Sequence, residues 1–184
     1  MVDITGHIAF GLLFALPAWF LWDDRASIGF IALSVVASLF PDIDLWLSRW
    51  FPEIIHHHGV THTVLVVTIA SVVVGAVLTG LFSTQIDNRI QSEQFDTSSL
   101  FVFTTLGFLV GGLSHLSADI LSAPDISTPI EPFWPLYTQP LGIDFVWYNA
   151  AWINIGFFSV MVVAHIALAY LTTPINHRYR LLPK

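Results

Sequence analysis

The sequence predicts an all-α, polytopic membrane helix bundle, with about five transmembrane helices and a metal site at one membrane face. Three observations lead there. Hydrophobic residues make up 55% of the 184 positions and charged residues only 10%, with a mean hydropathy of +0.73; a soluble domain carries about 25% charge. Apolar runs recur at the length of about 20 residues that a bilayer core requires. Histidine and aspartate, costly in such a chain and functional by default, gather in a few short stretches.

Five runs fit spans, in order Ile4–Trp22, Ala26–Phe40, Thr63–Phe82, Ser99–Leu121 and Trp147–Leu171. The first is read as a helix and not a signal peptide, because no basic segment precedes it and no small-residue cleavage site follows. The second is short for a complete crossing. The connections differ in character. Asp23, Asp24 and Arg25 make a tight polar turn, and Ser83–Ser98 is a solvated polar loop. Pro41–His62 holds two aspartates and four histidines, while Ser122–Val146 has five prolines between Pro124 and Pro140 and so is no regular helix. Long structured loops of this kind are often functional.

Five spans put the N-terminus, Pro41–His62 and Ser122–Val146 on one face. Lys and Arg then number one on that face (Arg49) and five on the other (Arg25, Arg89, Arg178, Arg180, Lys184). The positive-inside rule makes the second face cytoplasmic. Trp46, Trp50, Trp134 and Trp147 fit an outer aromatic belt, and Trp19 and Trp22 an inner one. The expected location is the cell or inner membrane, with the site on the extracytoplasmic side and residues 1–184 forming one domain.

Composition removes several function classes. Six Lys plus Arg against thirteen Asp plus Glu, a net charge of −7, leave no basic surface for a nucleic acid. With no cysteine there is no disulfide, thiolate ligand or cysteine nucleophile. The single lysine is Lys184, which makes a catalytic lysine a poor expectation.

The residues able to carry chemistry lie toward one face. His7 starts the first helix, Asp42 and Asp44 end the second, His57 and His62 precede the third, and His115 and Asp119 lie late in the fourth. His115 and Asp119, four apart, share one helical stripe, and imidazole and carboxylate are ligands for zinc and for manganese-like ions. His56, His57, His58 and His62 cluster at a helix entrance, where Gly59 permits a tight turn and Thr61 or Thr63 can cap. Seven such ligands exceed the roughly three that a catalytic zinc takes. They suit two divalent ions about 3.5–4 Å apart, zinc first and manganese second. His165, in the middle of the fifth run, reads as a histidine satisfied inside the bundle.

Three motifs in order, Leu39 to Asp44, His57 to Thr63 and Ser114 to Asp119, resemble the signature of the YdjM-like membrane-bound, metal-dependent hydrolases. Thr128–Leu136 resembles the segment after that family's fourth helix. The resemblance implies His7, Asp42, Asp44, His57, His62, His115 and Asp119 as metal ligands, and metal-dependent hydrolysis as the activity. Two positions depart from the pattern: Leu45 stands where the family has histidine, and His58 where it has arginine. A protonated His58 could replace that arginine as a phosphate clamp. The ligand order is also similar to that of the zinc-dependent phospholipase C and P1 nuclease group, a hint toward phosphoester chemistry.

The expected function is therefore hydrolysis of a phosphoester, in a lipid or lipid-linked substrate, by a metal-activated water. Asp44 is the expected base and His58 a second catalytic residue. The rival is a metal-binding transporter or channel whose histidines line a pathway, and a third reading is a structural protein with an incidental metal site. Ionisable residues spread through the membrane depth would favour transport; one-sided clustering favours a site.

Overall fold

A computed structural model describes residues 2–89, 97–122, 128–143 and 145–172. Part of the polar loop (90–96), Asp125, Asp144 and the tail with His177 and three of the basic residues lie outside the described residues. The described chain is helical: α1 (Ile4–Ala15), α2 (Ala18–Leu21), α3 (Asp24–Ala37), α4 (Ile43–Leu47), a 3-10 turn (Val60–His62), α5 (Val64–Arg89), α6 (Thr97–Leu121), a π-helical turn (Trp152–Phe157) and α7 (Phe158–Thr172). Two isolated β-bridges, Ser122 to Val146 and Ile130 to Leu141, tie the proline-rich segment without making a strand.

Among the described residues four stretches are long and apolar enough to cross a membrane: Ile4–Leu21, Val64–Ser83, Ser98–Leu121 and Trp152–Thr172. The expected second span is shorter. It forms α3, whose 14 residues rise about 21 Å against a hydrocarbon core of about 30 Å. Its N-cap is Asp23, which accepts from the N–H groups of Arg25 and Ala26. The helix stops at Ala37, four residues before Pro41, beyond which an α-helix would lose a backbone hydrogen bond. One face packs inside the bundle through Ser27, Phe30, Ser34 and Ala37. Its serines hydrogen-bond to backbone oxygens, Ser27 Oγ to Ala18 O at 2.8 Å and Ser34 Oγ to Gly107 O at 3.0 Å, so their burial is compensated.

Helix directions follow from these contacts. Phe30 meets Phe103 with ring centroids 5.5 Å apart, and Ser38 O meets His115 Nδ1 at 2.7 Å, so α3 runs parallel to α6. Gly111 makes that approach possible: a Cβ there would stand 2.1 Å from Ser34 O. Helix α5 runs antiparallel to α6, with Val67 against Gly112 near one end and Gly75 against Thr105 farther along. Helices α1 and α7 run parallel, Phe10 beside Phe157 and Leu12 bonded to His165. One end of the bundle therefore collects the starts of α1, α5 and α7, the ends of α3 and α6, and both unusual loops.

Midway along the first span the helix breaks. Pro17 has no N–H, and Leu16 N–H bonds Leu13 O instead of reaching back a full turn. Leu12 O is taken by His165 Nε2–H at 2.9 Å, while His165 Nδ1 accepts from Trp19 Nε1–H at 2.8 Å. His165 is thus a satisfied bundle histidine, as expected. Trp19 is not a belt residue: it is buried because its indole N–H is spent on that histidine. At the other end Trp46, Trp50, Trp134, Trp147 and Trp152 are all exposed, as an interfacial belt requires.

Candidate metal centre

The centre is built by four pieces of backbone. Asp3 caps α1, its carboxylate accepting from Gly6 N–H at 3.0 Å, and the first turn then presents His7 inward. After α3, Pro41 and Asp42 lead into α4, whose first turn buries Asp44 while Ile43 and Leu45 stay exposed. The 3-10 turn buries Thr61 and His62, and Thr63 caps α5 by accepting from Val66 N–H at 3.2 Å. Near the end of α6, His115 and Asp119 lie one above the other, with His115 Nε2 3.1 Å from Asp119 Oδ2.

His58, not Gly59, carries the left-handed conformation in the turn, with φ of 62°, a region uncommon for non-glycine residues. Gly59 is needed for space instead, since a Cβ there would lie 2.7 Å from His56 O.

Four donor atoms lie close together. His62 Nε2 and His115 Nε2 are 3.2 Å apart. Asp42 Oδ1 is 3.5 Å from the first and 3.6 Å from the second; Asp119 Oδ2 is 3.5 Å and 3.1 Å from them. Donors held about 2.0–2.1 Å from a tetrahedral ion stand about 3.3 Å from one another, so these spacings fit zinc-sized coordination. At the other oxygen of each carboxylate, His7 Nε2 is 3.6 Å from Asp119 Oδ1 and 3.9 Å from Asp42 Oδ2. Among the described residues neither His7 nitrogen has a hydrogen-bond partner, although the ring is fully buried, and it stacks on His115 with centroids 3.8 Å apart. A buried imidazole without a partner is costly and is what an ion would satisfy.

The neighbouring groups fix tautomers. Ser38 O can only accept, so neutral His115 carries its proton on Nδ1 and turns the Nε2 lone pair inward. Asp44 does the same for two histidines: Oδ2 faces His62 Nδ1 at 3.1 Å and Oδ1 faces His57 Nδ1 at 3.0 Å. Thr61 Oγ1–H also donates to Asp44 Oδ2, at 2.9 Å. His58 Nδ1 bonds Thr128 O, which joins the histidine turn to the proline-rich segment. A second tie runs from Val64 N–H to Pro132 O at 2.8 Å.

Electrostatics follow this wiring. Burial alone would raise the Asp44 carboxyl, but hydrogen bonds from His57, His62 and Thr61 hold it well below the usual carboxylate range. Asp42 is also lowered, burial being outweighed by contact with His62 and the charges of His115 and His7. Burial alone would lower His62, yet its bonds to Asp42 and Asp44 and the charge of Asp119 raise it to about 9. His58 goes the other way: burial lowers it to about 4 against the opposing charge of Asp119. At neutral pH His58 is uncharged, so it does not supply the cation expected in place of the family's arginine.

Groups of His57, His58 and His62, of Asp42, Asp44, His57 and His62, and of His7, His115 and Asp119 could each hold a metal ion. All seven expected ligands thus fall into one cluster, and His58 joins it. Residues 1–179 match the family described as YdjM inner membrane protein. The chain belongs to that family. It is a membrane protein of the YdjM family with a His and Asp cluster able to hold metal. No curated protein and no solved structure matches it.

Sequence reasoning missed Ser38, Thr128 and the Trp19 bond to His165. The first two act through backbone carbonyls, which every residue carries, so no residue type could mark them. Thr61 was noticed only as a cap, although it lies beside His62 and serves Asp44.

Proposed function

We propose that this YdjM-family chain is a metal-dependent hydrolase that cleaves a phosphoester in a lipid or lipid-linked substrate. One observation carries the reading, the division of the carboxylate oxygens. Asp42 Oδ1 and Asp119 Oδ2 lie nearest His62 and His115, whereas Asp42 Oδ2 and Asp119 Oδ1 lie nearest His7. Two aspartates that each offer one oxygen to His62 and His115 and the other to His7 can join two adjacent donor groups, as a two-ion centre requires. The donor chemistry favours zinc, with manganese also compatible. When bound, a pair of such ions supplies an acidified water and neutralises charge developing on a phosphoryl group.

The chain's own residues do the rest. His62, His115, Asp42 and Asp119 form the four-donor group, and His7 with the outer oxygens of Asp42 and Asp119 forms a three-donor group that leaves room for substrate. Asp44 is a positioning residue, because its oxygens hold His57 and His62 and its lowered pKa makes it a poor proton acceptor at neutral pH. His58 Nε2, 3.8 Å from Asp119 Oδ2, is a neutral hydrogen-bond acceptor in this proposal: Nδ1–H is held by Thr128 O, so Nε2 can orient water or substrate, while its lowered pKa makes it, like Asp44, a poor base at neutral pH. A cavity of about 720 Å³ lined by His56, His58, Thr61, Glu131 and Trp134 is of the size that holds a small-molecule group. A transport path has less support, since the deep His165 is tied between Trp19 and Leu12.

The site end faces away from the cytoplasm in this proposal, because among the described residues Arg25 and Arg89 belong to the opposite end against Arg49 at the site end, and the sequence count of basic residues favours the same side. The test of the activity is hydrolysis of bis(4-nitrophenyl) phosphate and of a phospholipid by detergent-purified protein, before and after chelation and reloading with zinc. Turnover that chelation abolishes and zinc restores is expected. No turnover by fully loaded protein on either substrate overturns the assignment.

A further inference from the structure

A groove of about 420 Å³ opens beside the start of α1 and includes Asp42 in its lining. Its walls are Val2, Ile4, Leu39, Leu45 and Tyr148. The remaining wall residue, Asp3, has its carboxylate engaged by Gly6 N–H and the Thr5 hydroxyl. Among the five residues of the two donor groups, Asp42 alone keeps side-chain exposure, 14% against 0% for His7, His62, His115 and Asp119. The groove therefore reaches the centre at Asp42, a carboxylate that the two donor groups share.

We infer that this groove binds the hydrocarbon chain of the substrate, with Leu45 as the residue that sets chain preference; this rests on the phosphoester reading above. The outer lips, Ile4 at 64% and Leu45 at 42% exposure, are apolar and open. They continue into the exposed Trp46 and Trp50, whose rings lie 6.2 Å apart. Exposed tryptophans of this kind sit at headgroup depth, so the lips meet acyl chains and Asp42 meets the headgroup boundary. Water gains little from such walls, whereas a hydrocarbon chain loses its contact with water along the whole groove. A chain lying there places its phosphoester at Asp42.

The test compares methylphosphonate with hexylphosphonate, both water-soluble, binding to zinc-loaded protein in phosphatidylcholine nanodiscs, with empty nanodiscs subtracted. The wild type is expected to bind hexylphosphonate at least tenfold more tightly than methylphosphonate. In Leu45→Trp, whose larger side chain narrows the groove at its outer lip, hexylphosphonate should lose most of this advantage, and zinc content serves as the control that the donor groups are intact. Equal binding by the wild type overturns the groove and leaves the phosphoester centre standing. An equal advantage for hexylphosphonate in wild type and Leu45→Trp places the chain elsewhere and also overturns it. Failure of both phosphonates to bind overturns the phosphoester reading and the groove together.

Discussion

His62 and His115 face each other nitrogen to nitrogen, Nε2 to Nε2, at 3.2 Å. They come from different elements 53 residues apart, and each is aimed by a partner on its far nitrogen, Asp44 for His62 and Ser38 O for His115. Two inward-aimed imidazoles between two carboxylates form a geometry that repels itself without a proton or an ion in the middle. Against the opposing effect of burial, hydrogen bonds to Asp42 and Asp44 and the charge of Asp119 raise the pKa of His62, so its ring holds a second proton when metal is absent.

That proton predicts a pH dependence for the metal-free protein. The folded His62 titrates near 9, above its ordinary 6.5, so its stabilising contribution is complete below about pH 6.5 and is lost as pH rises through 9. Thermal unfolding of chelator-treated protein should therefore fall in midpoint between pH 7 and pH 10, and His62→Gln should flatten the decline. Zinc uptake must displace the same proton, so zinc affinity should rise with pH over this range. Affinity that stays constant, together with a flat unfolding profile, would remove His62 from the centre.

Asp44→Asn should weaken zinc binding by about 10–100-fold, the usual effect of losing a residue that orients ligands. It should not abolish binding, because His62, His115, Asp42 and Asp119 remain. Equilibrium competition with a zinc-binding dye measures this. Complete loss would make Asp44 a ligand in its own right, and no change would strip it of its positioning role.

Much of this was legible in the sequence, and the reasons are specific. The all-helical membrane fold followed from run length and composition. His115 and Asp119 showed their common face through their spacing. The clustering of His7 with Asp42 was an inference from counting spans, and it holds although α3 is shorter than a span, because α3 still returns the chain to the end it left. What the sequence concealed was the wiring. Ser38 and Thr128 contribute carbonyl oxygens, Trp19 looked like a belt residue until its N–H found His165, and the backbone strain fell on His58 beside the glycine expected to relieve it.

His165→Ala should separate fold from site. It leaves Trp19 Nε1–H and Leu12 O without their partner, at about 1–3 kcal/mol for each orphaned group. The unfolding midpoint should drop by about 5–10 °C while metal content stays unchanged. Loss of metal in this variant at a temperature where it remains folded would extend the centre deeper into the bundle.

Sidedness has its own test, made easy by the absence of cysteine. A membrane-impermeant maleimide applied to intact cells should label Pro52→Cys at the site end and spare Arg25→Cys at the opposite end. The reverse pattern turns the protein over in the membrane.

The central claim is a two-ion centre shared by Asp42 and Asp119. Elemental analysis of detergent-purified protein tests it most directly, run beside His115→Ala and Asp119→Ala. About two divalent ions per chain are expected in the wild type, with most of that metal gone in both variants. Metal content that is the same in all three proteins would contradict the centre described here.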